Sequence, residues 1–187
     1  MRLTLENSHP MFEIRAGQPY LLHPCEESIN VNVVTFNFQS EDRTLAAFVL
    51  ATIVHEYPQG QEAALQGSLV STCLVQLADP NPLLRQWLAI CLGRLWTGYD
   101  KARWCGVRDN AHEKLYQLLD DTCPEVRAAA VYALGTFISS VVERSEHANN
   151  IDQSVAMNLL NTAARDMSVL VRKVTTASVP TATSNFP

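Results

Sequence analysis

The residues of this chain that could support catalysis are its cysteines and histidines, and their spacing offers little chemistry. Cys105 and His112 lie seven residues apart, and a nucleophilic thiolate needs a base close to it in space. The sequence contains no glycine-rich phosphate loop, no GxSxG and no HExxH, and its five histidines lack metal-ligand spacing. We therefore predict that the protein is not an enzyme and binds no metal and no cofactor.

Composition and charge exclude several other classes of protein. The net charge is −5, from 14 basic and 19 acidic residues, so the chain has no overall attraction for the phosphate backbone of nucleic acids. No apolar run approaches the roughly 18 residues that a membrane helix needs. The five cysteines form no CxxC pair, and an odd number argues against a disulfide framework. We expect a soluble intracellular protein whose thiols are reduced and buried.

An internal repeat carries the strongest signal in the sequence. Three segments share an aspartate and, six residues later, an arginine that follows a branched aliphatic residue. These pairs are Asp79 and Arg85, Asp121 and Arg127, and Asp166 and Arg172. With Arg43, the arginines at 43, 85, 127 and 172 recur at intervals of 42, 42 and 45 residues. This period is typical of HEAT and armadillo repeats.

The residues around each arginine predict the helices of these repeats. After residues 84 and 126, apolar residues follow at i+4, i+7 and i+11, which is one buried stripe of a helix. Pro82 and Pro124 stand where the first turn of such a helix tolerates proline. Gly93 and Gly135 occupy matched positions, which predicts close helix crossings. Residues 61–77, 110–119 and 151–164 carry the stripes of the preceding helices. The fold class is therefore all-α, an α-solenoid of about three to four repeats.

The two ends of the chain do not join this pattern. Residues 1–38 contain scattered prolines and receive no assigned structure, and the solenoid is expected to span residues 39–174. After Val171 the apolar stripe fails, and Pro180 is expected to break any helix. The polar residues 175–187 are therefore predicted to form a disordered tail.

The repeated charges have two interpretations. In the structural one, the aspartates cap backbone N–H groups and pair with arginines of adjacent repeats, forming a ladder that fixes the stacking register. In the functional one, Arg85, Arg127 and Arg172 line a face that binds acidic partners. We favour the ladder, because a partner site does not need the same residue in every repeat.

A second candidate site lies in residues 96–110, which are expected to form an irregular linker. The segment mixes aromatic residues with cations, as interaction surfaces do. In the alternative interpretation, Trp96 and Trp104 fill the core between repeats while their basic neighbours are solvated. The candidate partner-binding residues are Lys101, Arg103, Trp104, Arg108, Asp109 and His112.

Taken together, three segments resemble the central HEAT-type repeat region of the raptor family, the regulatory-associated proteins of the target-of-rapamycin (TOR) kinase. They are LLRQWLAICLGRLW at 83–96, ARWCGVRDNAHEKLYQLL at 102–119 and PEVRAAAVYALGTF at 124–137. The second segment is far more specific than a general HEAT consensus. The resemblance covers about residues 40–174, and shorter matches include IDQSVAM at 151–157.

The resemblance implies a non-enzymatic scaffold in TOR signalling. Its expected partners are the TOR kinase and small GTPases at the lysosome, and its expected location is the cytoplasm, with recruitment to the lysosomal surface through partners. The family also carries a caspase-like domain and a WD-repeat propeller, which this chain does not contain, so we expect a section of a longer protein. The alternative is an unrelated HEAT-repeat adaptor of the transport or phosphatase-scaffold type.

Overall fold

The fold is built from α-helices stacked in repeats. The computed structural model describes residues 39–138 and 145–183, and all regular elements in those ranges are α-helices. The helices are α1 Ser40–Ile53, α2 Pro58–Gln66, α3 Leu69–Gln76, α4 Pro82–Trp96, α5 Asp100–Arg108, α6 Ala111–Leu118, α7 Pro124–Phe137, α8 Glu146–Arg165 and α9 Val169–Thr183. The predicted all-α solenoid is confirmed. The predictions for residues 1–38 and 184–187 lie outside the described residues.

Four of these helices form one continuous layer, and we call them the arginine helices: α1, α4, α7 and α9. Each carries its repeat arginine as its fourth residue. They pack against one another in chain order, α1 on α4, α4 on α7 and α7 on α9, while α3, α6 and α8 cover them from a second layer. The predicted apolar stripes lie in the core between the layers, where Leu84, Leu88, Val126 and Phe137 are almost completely buried.

The starts of the arginine helices follow from local sequence. Pro82 and Pro124 are the first residues of α4 and α7, where the missing N–H of proline costs no hydrogen bond. The Asn81 side chain accepts a hydrogen bond from the Leu83 N–H at 3.0 Å and so caps α4. The two predicted proline starts are therefore confirmed.

The matched glycines mark the closest contacts between arginine helices, as predicted. A Cβ atom on Gly93 would lie 2.6 Å from Cε1 of Tyr132 on α7. A Cβ atom on Gly135 would lie 2.6 Å from Cβ of Ser178 on α9. Because such contacts are shorter than van der Waals distances allow, any larger residue would push the helices apart.

The second layer differs from its prediction in the first two complete repeats. Residues 61–77 were expected to form one helix, but Ser68 has a φ of 62° and separates α2 from α3. Asn110, 42 residues later, has a φ of 52° and separates α5 from α6. A residue in the left-handed conformation interrupts the right-handed helical path of the backbone, and Asn adopts this conformation more readily than most residues. Residues 96–110, expected to be an irregular linker, contain the helix α5, so these repeats have three helices, as armadillo repeats do.

The last repeat differs in the opposite direction. Its first helix, α8, is one uninterrupted helix of 20 residues. The arginine helix α9 continues to Thr183, so the predicted disordered tail from residue 175 and the helix break at Pro180 are wrong. Thr175 and Ser178 stand at positions where the apolar stripe was expected to continue, and their hydroxyls form hydrogen bonds within the helix. Thr175 donates to the Val171 carbonyl at 2.7 Å, and Ser178 donates to the Val174 carbonyl at 3.0 Å. Packing of α9 against α7 and α8 outweighs the cost of one proline.

Candidate protein-interaction site

The ladder of ion pairs joins successive arginine helices. Nε and Nη2 of Arg85 donate to the two carboxylate oxygens of Asp121 at 2.8 and 3.0 Å. Arg127 contacts Asp166 in the same way at 2.7 and 3.0 Å. Each pair is bidentate and mostly shielded from solvent, a geometry that combines strength with a fixed orientation. The structure thus shows the contacts that the structural interpretation of the spacing predicts.

The third nitrogen of each arginine holds the turn before its own helix. Nη1 of Arg85 donates to the Asp79 carbonyl at 2.7 Å and to the Pro80 carbonyl at 3.0 Å. Arg127 makes the equivalent bond to the Asp121 carbonyl at 2.7 Å. One guanidinium therefore connects two consecutive turns, because its five donors lie in a rigid plane.

The aspartates also stabilise the turns that carry them. Asp79 accepts a hydrogen bond from the backbone N–H two residues later at 2.8 Å, Asp121 does so at 2.9 Å and Asp166 at 2.7 Å. This is the turn-capping geometry that favours aspartate before a helix. The hydrogen bonds from Arg127 lower the pKa of Asp166, and those to Asp166 raise the pKa of Arg127. These shifts indicate that the pair is ionised in the folded protein.

One member of the ladder was not assigned from the sequence. The sequence places Arg43 in the repeat period without a predicted partner, and the structure pairs its Nη1 with a carboxylate oxygen of Asp79 at 2.6 Å. Both side chains are buried. The signal that could have revealed this contact is the interval of 36 residues between Arg43 and Asp79, which equals that between Arg85 and Asp121.

The second candidate site, in residues 96–110, is divided by the fold. Lys101, Trp104 and Arg108 are spaced on one exposed face of α5, and Trp104 is 45% exposed. We call these three residues the α5 surface. Lys101 lies 3.5 Å from a carboxylate oxygen of Glu62, and Arg108 lies 2.8 Å from one of Asp109. The surface is therefore an exposed indole between two ion pairs.

Two predicted members of this site are not accessible. Arg103 is only 2% exposed, with its Nε 3.6 Å from Asp100, and burial lowers its pKa. His112 is 8% exposed and packs against Tyr116 and Phe137, and burial lowers its pKa as well. Their inclusion as partner-binding residues is wrong, because the helical spacing of α5 and the start of α6 point these side chains inward.

The aromatic residues of the same segment have separate roles. Trp96 is buried, packs edge-on against Phe137 at 4.8 Å and donates its indole N–H to the Ala102 carbonyl. It fills the core as the alternative interpretation predicts, whereas Trp104 does not. Tyr99, which sequence reasoning did not single out as a contact, donates its hydroxyl to Glu62 on α2. Burial is the main factor that raises the pKa of Tyr99 to about 12.

The described residues hold no cluster of metal ligands, and their cysteines are free thiols. Within residues 39–138 and 145–183 no group of three or more His, Cys, Asp or Glu side chains could hold a metal ion. No helix in the same ranges is long and apolar enough to cross a membrane. Cys73 and Cys91 are free and buried, whereas Cys105 and Cys123 are free and only partly buried, unlike the expectation of buried thiols. The hydrogen bond between Cys73 and Cys91 together with burial raises the pKa of Cys73 well above its usual value.

The stacked helices and the ladder define the class of the protein, an α-solenoid of the HEAT/armadillo type. The family model described as HEAT repeat matches residues 113–141. A designed armadillo repeat protein superposes with a TM-score of 0.66 at 17% identity and 81% coverage of this chain and 62% of that one, which shows the fold alone.

More specific relatives share the sequence as well. The protein raptor homolog of Dictyostelium discoideum is 45% identical over 120 residues, covering 64% of this chain and 8% of that protein. The target of rapamycin complex 1 subunit mip1 of Schizosaccharomyces pombe is 41% identical over 133 residues, covering 71% of this chain and 10% of that protein. The crystal structure of Chaetomium thermophilum Raptor has a TM-score of 0.72 at 34% identity, with 80% of this chain and 14% of that one covered.

The resemblance stated from the sequence is confirmed: the repeats of this chain are similar to the HEAT-repeat region of raptor proteins. The chain spans about a tenth of the length of the curated relatives that it matches.

Proposed function

We propose that this chain is a non-enzymatic, helical-repeat component of target of rapamycin complex 1. In this role it provides a rigid surface that binds the TOR kinase and its regulators. The observation that carries the proposal is the identity of 41–45% with a raptor homolog and with a protein named as a subunit of that complex. Much weaker similarity would suffice to preserve a general solenoid fold, as the designed repeat protein at 17% identity illustrates.

The ladder supports a scaffold role because it makes the repeats rigid. Three bridges join consecutive arginine helices: Arg43 to Asp79, Arg85 to Asp121 and Arg127 to Asp166. A solenoid whose repeats cannot slide holds two partners at a fixed separation, which raises the effective concentration of one partner at the other. Phosphorylation of a bound substrate by a bound kinase then becomes an almost intramolecular step.

The α5 surface is the part of the chain that we propose to contact a partner. An exposed tryptophan is among the residues most enriched at binding hot spots. Lys101 and Arg108 can exchange their present carboxylate neighbours for those of a partner, because both cations are well exposed. Under this proposal the chain acts in the cytoplasm, with small GTPases among the partners that recruit it to the lysosomal surface.

The test is co-precipitation of the TOR kinase with the tagged chain from cells. The variant Lys101→Ala, Trp104→Ala and Arg108→Ala should lose most of the co-precipitated kinase while its circular dichroism spectrum is unchanged. Arg103 is left intact because changing a buried arginine would confuse a loss of folding with a loss of binding. The matched control changes two exposed residues of α8, Glu146→Ala and Gln153→Ala, and should bind as the parent chain does.

Two outcomes would count against the proposal. If the folded parent chain retains no TOR kinase, the proposed membership in the complex is wrong. If the parent chain binds and the α5 variant binds equally well, the complex is retained but the α5 surface is not where the kinase docks.

A further inference from the structure

Arg103 is a buried cation that lacks most of the hydrogen bonds it could form. The residue is only 2% exposed, and its Nε and Nη1 atoms are buried without a hydrogen-bond partner in the described part of the chain. The carboxylate of Asp100 lies 3.6 Å from Nε, which is too long for a hydrogen bond, and that side chain is 59% exposed. Because a buried cation without partners costs free energy, the polar contacts of Arg103 do not explain its presence as a stabilising one.

The guanidinium lies instead against the indole of Trp104. The Cζ atom of Arg103 is 5.1 Å from the centroid of the Trp104 ring, inside the range of about 6 Å in which a cation is attracted to the face of an aromatic ring. Trp is the strongest partner for this contact, and a guanidinium suits it well because it is planar and weakly hydrated. A buried cation therefore contacts the indole, while 45% of the Trp104 residue remains exposed.

This contact matters for binding because Trp104 is the aromatic residue of the α5 surface. A large exposed side chain that moves freely loses conformational entropy when a partner immobilises it. A side chain that is already fixed in one orientation loses less, so the same contacts give a higher affinity. The buried guanidinium is suited to this task because its attraction to the ring is not weakened by water.

We propose that Arg103 is a positioning residue of the α5 surface, and that it holds the Trp104 indole in the orientation that a partner contacts. This inference rests on the proposed function, since it concerns the same surface. Arg103 does not touch the partner itself, in agreement with its burial, and acts through Trp104. The free energy lost by burying an unpaired cation is then the cost of fixing an exposed aromatic side chain in advance.

A purely structural role of Arg103 makes a different prediction for the variant Arg103→Met. Met is unbranched, fills irregular spaces in a core and carries no charge. Replacing a buried charge by an apolar residue of similar volume is often neutral or stabilising. We therefore expect Arg103→Met to melt at the same temperature as the parent chain or at a higher one, although Trp104 loses its fixed orientation.

The test is fluorine NMR of the chain labelled with 5-fluorotryptophan. The chain has three tryptophans, and the resonance of Trp104 is assigned by its absence in Trp104→Phe. In Arg103→Met this resonance should move towards its position in the unfolded chain, while those of Trp87 and Trp96 stay in place. Arg103→Lys should give a smaller change, because an ammonium is attracted to the ring but does not stack on it.

The matched control is Asp100→Asn, which removes the ion-pair partner of Arg103 but leaves the guanidinium against the indole. It should leave the Trp104 resonance in place. The proposal is overturned if the Trp104 resonance is unchanged in Arg103→Met, or if Asp100→Asn moves it as far. It is also overturned if Arg103→Met lowers the melting temperature and moves all three resonances, since Arg103 would then be a structural core residue.

Binding to purified TOR kinase separates this inference from the proposed function. Arg103→Met should weaken the affinity by about three- to tenfold, the size expected for the loss of one cation–π contact. If the Trp104 resonance responds as predicted but the parent chain binds no kinase, the proposed function is wrong and the contact between Arg103 and Trp104 stands. If the parent chain binds and Arg103→Met binds equally tightly, the orientation of Trp104 is not used in binding and the positioning role is overturned.

Discussion

The bridge between Arg127 and Asp166 should contribute measurably to stability and should do so as a coupled pair. Arg127→Gln removes both bonds to the carboxylate, at 2.7 and 3.0 Å, and the bond to the Asp121 carbonyl at 2.7 Å. It leaves an aspartate side chain that is only 6% exposed without its cation. Asp166→Asn keeps a similar shape and removes only the charge.

The size of the effect follows from the burial of the pair. Hydrogen bonds to charged groups contribute about 1.5–3 kcal/mol each, and breaking a fully buried ion pair from one side costs about 3–5 kcal/mol. Because the Arg127 side chain is 16% exposed, the cost is reduced by hydration, and we expect about 2–4 kcal/mol for Arg127→Gln. The coupling energy between the two substitutions should be at least about 1 kcal/mol.

The assay is chemical denaturation of the parent chain, the two single variants and the double variant, followed by circular dichroism. Lys101→Gln is the control, because its partner Glu62 is exposed and the pair is separated by 3.5 Å, so it should not shift the midpoint measurably. If the effects of the two ladder substitutions on the free energy of unfolding simply add, the two side chains are not coupled and the bridge does not contribute to stability.

Three further predictions concern packing and pH. Gly93→Ala should destabilise the protein by about 1–3 kcal/mol, because the new methyl group meets the Tyr132 ring. This cost should exceed the gain from the higher helix propensity of alanine. A rise in the melting temperature would contradict the close crossing of α4 and α7. Burial lowers the pKa of His112, so below the ordinary pKa of 6.5 the unfolded state binds more protons than the folded state, and stability should fall as the pH falls through that value. The urea midpoints at pH 7.5 and pH 5.5 should therefore differ less in His112→Gln than in the parent chain. An equal difference in the two proteins would contradict this explanation. Arg127 lowers the pKa of Asp166, so the ion pair stabilises the folded protein above the ordinary pKa of 3.8, and this stabilisation is lost as the pH falls below that value. Between pH 5 and pH 3 the melting temperature should therefore fall less in Arg127→Gln than in the parent chain.

The repeat could be predicted from the sequence because its signals are local and recur in register. An aspartate and an arginine at fixed offsets mark the starts of α4, α7 and α9, with a proline between them in α4 and α7, and their period defines the stacking partner. Helix crossings follow from the same register, since Gly93 and Gly135 occupy equivalent positions and both meet a neighbouring helix.

The remaining features depend on backbone states and burial that spacing does not specify. Ser68 and Asn110 interrupt helices through a left-handed conformation that many serines and asparagines never adopt. Arg103 and Trp104 are adjacent in sequence, yet one is buried and the other exposed, because the phase of α5 decides which side chain faces the core and the spacing of the residues does not reveal that phase. Pro180 lies in a helix because tertiary packing overrides local preference.

The central proposal is that this chain, which is similar to the repeat region of raptor proteins, binds the TOR kinase. Its most direct test is titration of the purified, monodisperse chain into purified TOR kinase, with binding followed by biolayer interferometry. We expect saturable binding that is lost in the variant Lys101→Ala, Trp104→Ala and Arg108→Ala and retained in the α8 control. No binding by a folded chain at concentrations well above micromolar would contradict it.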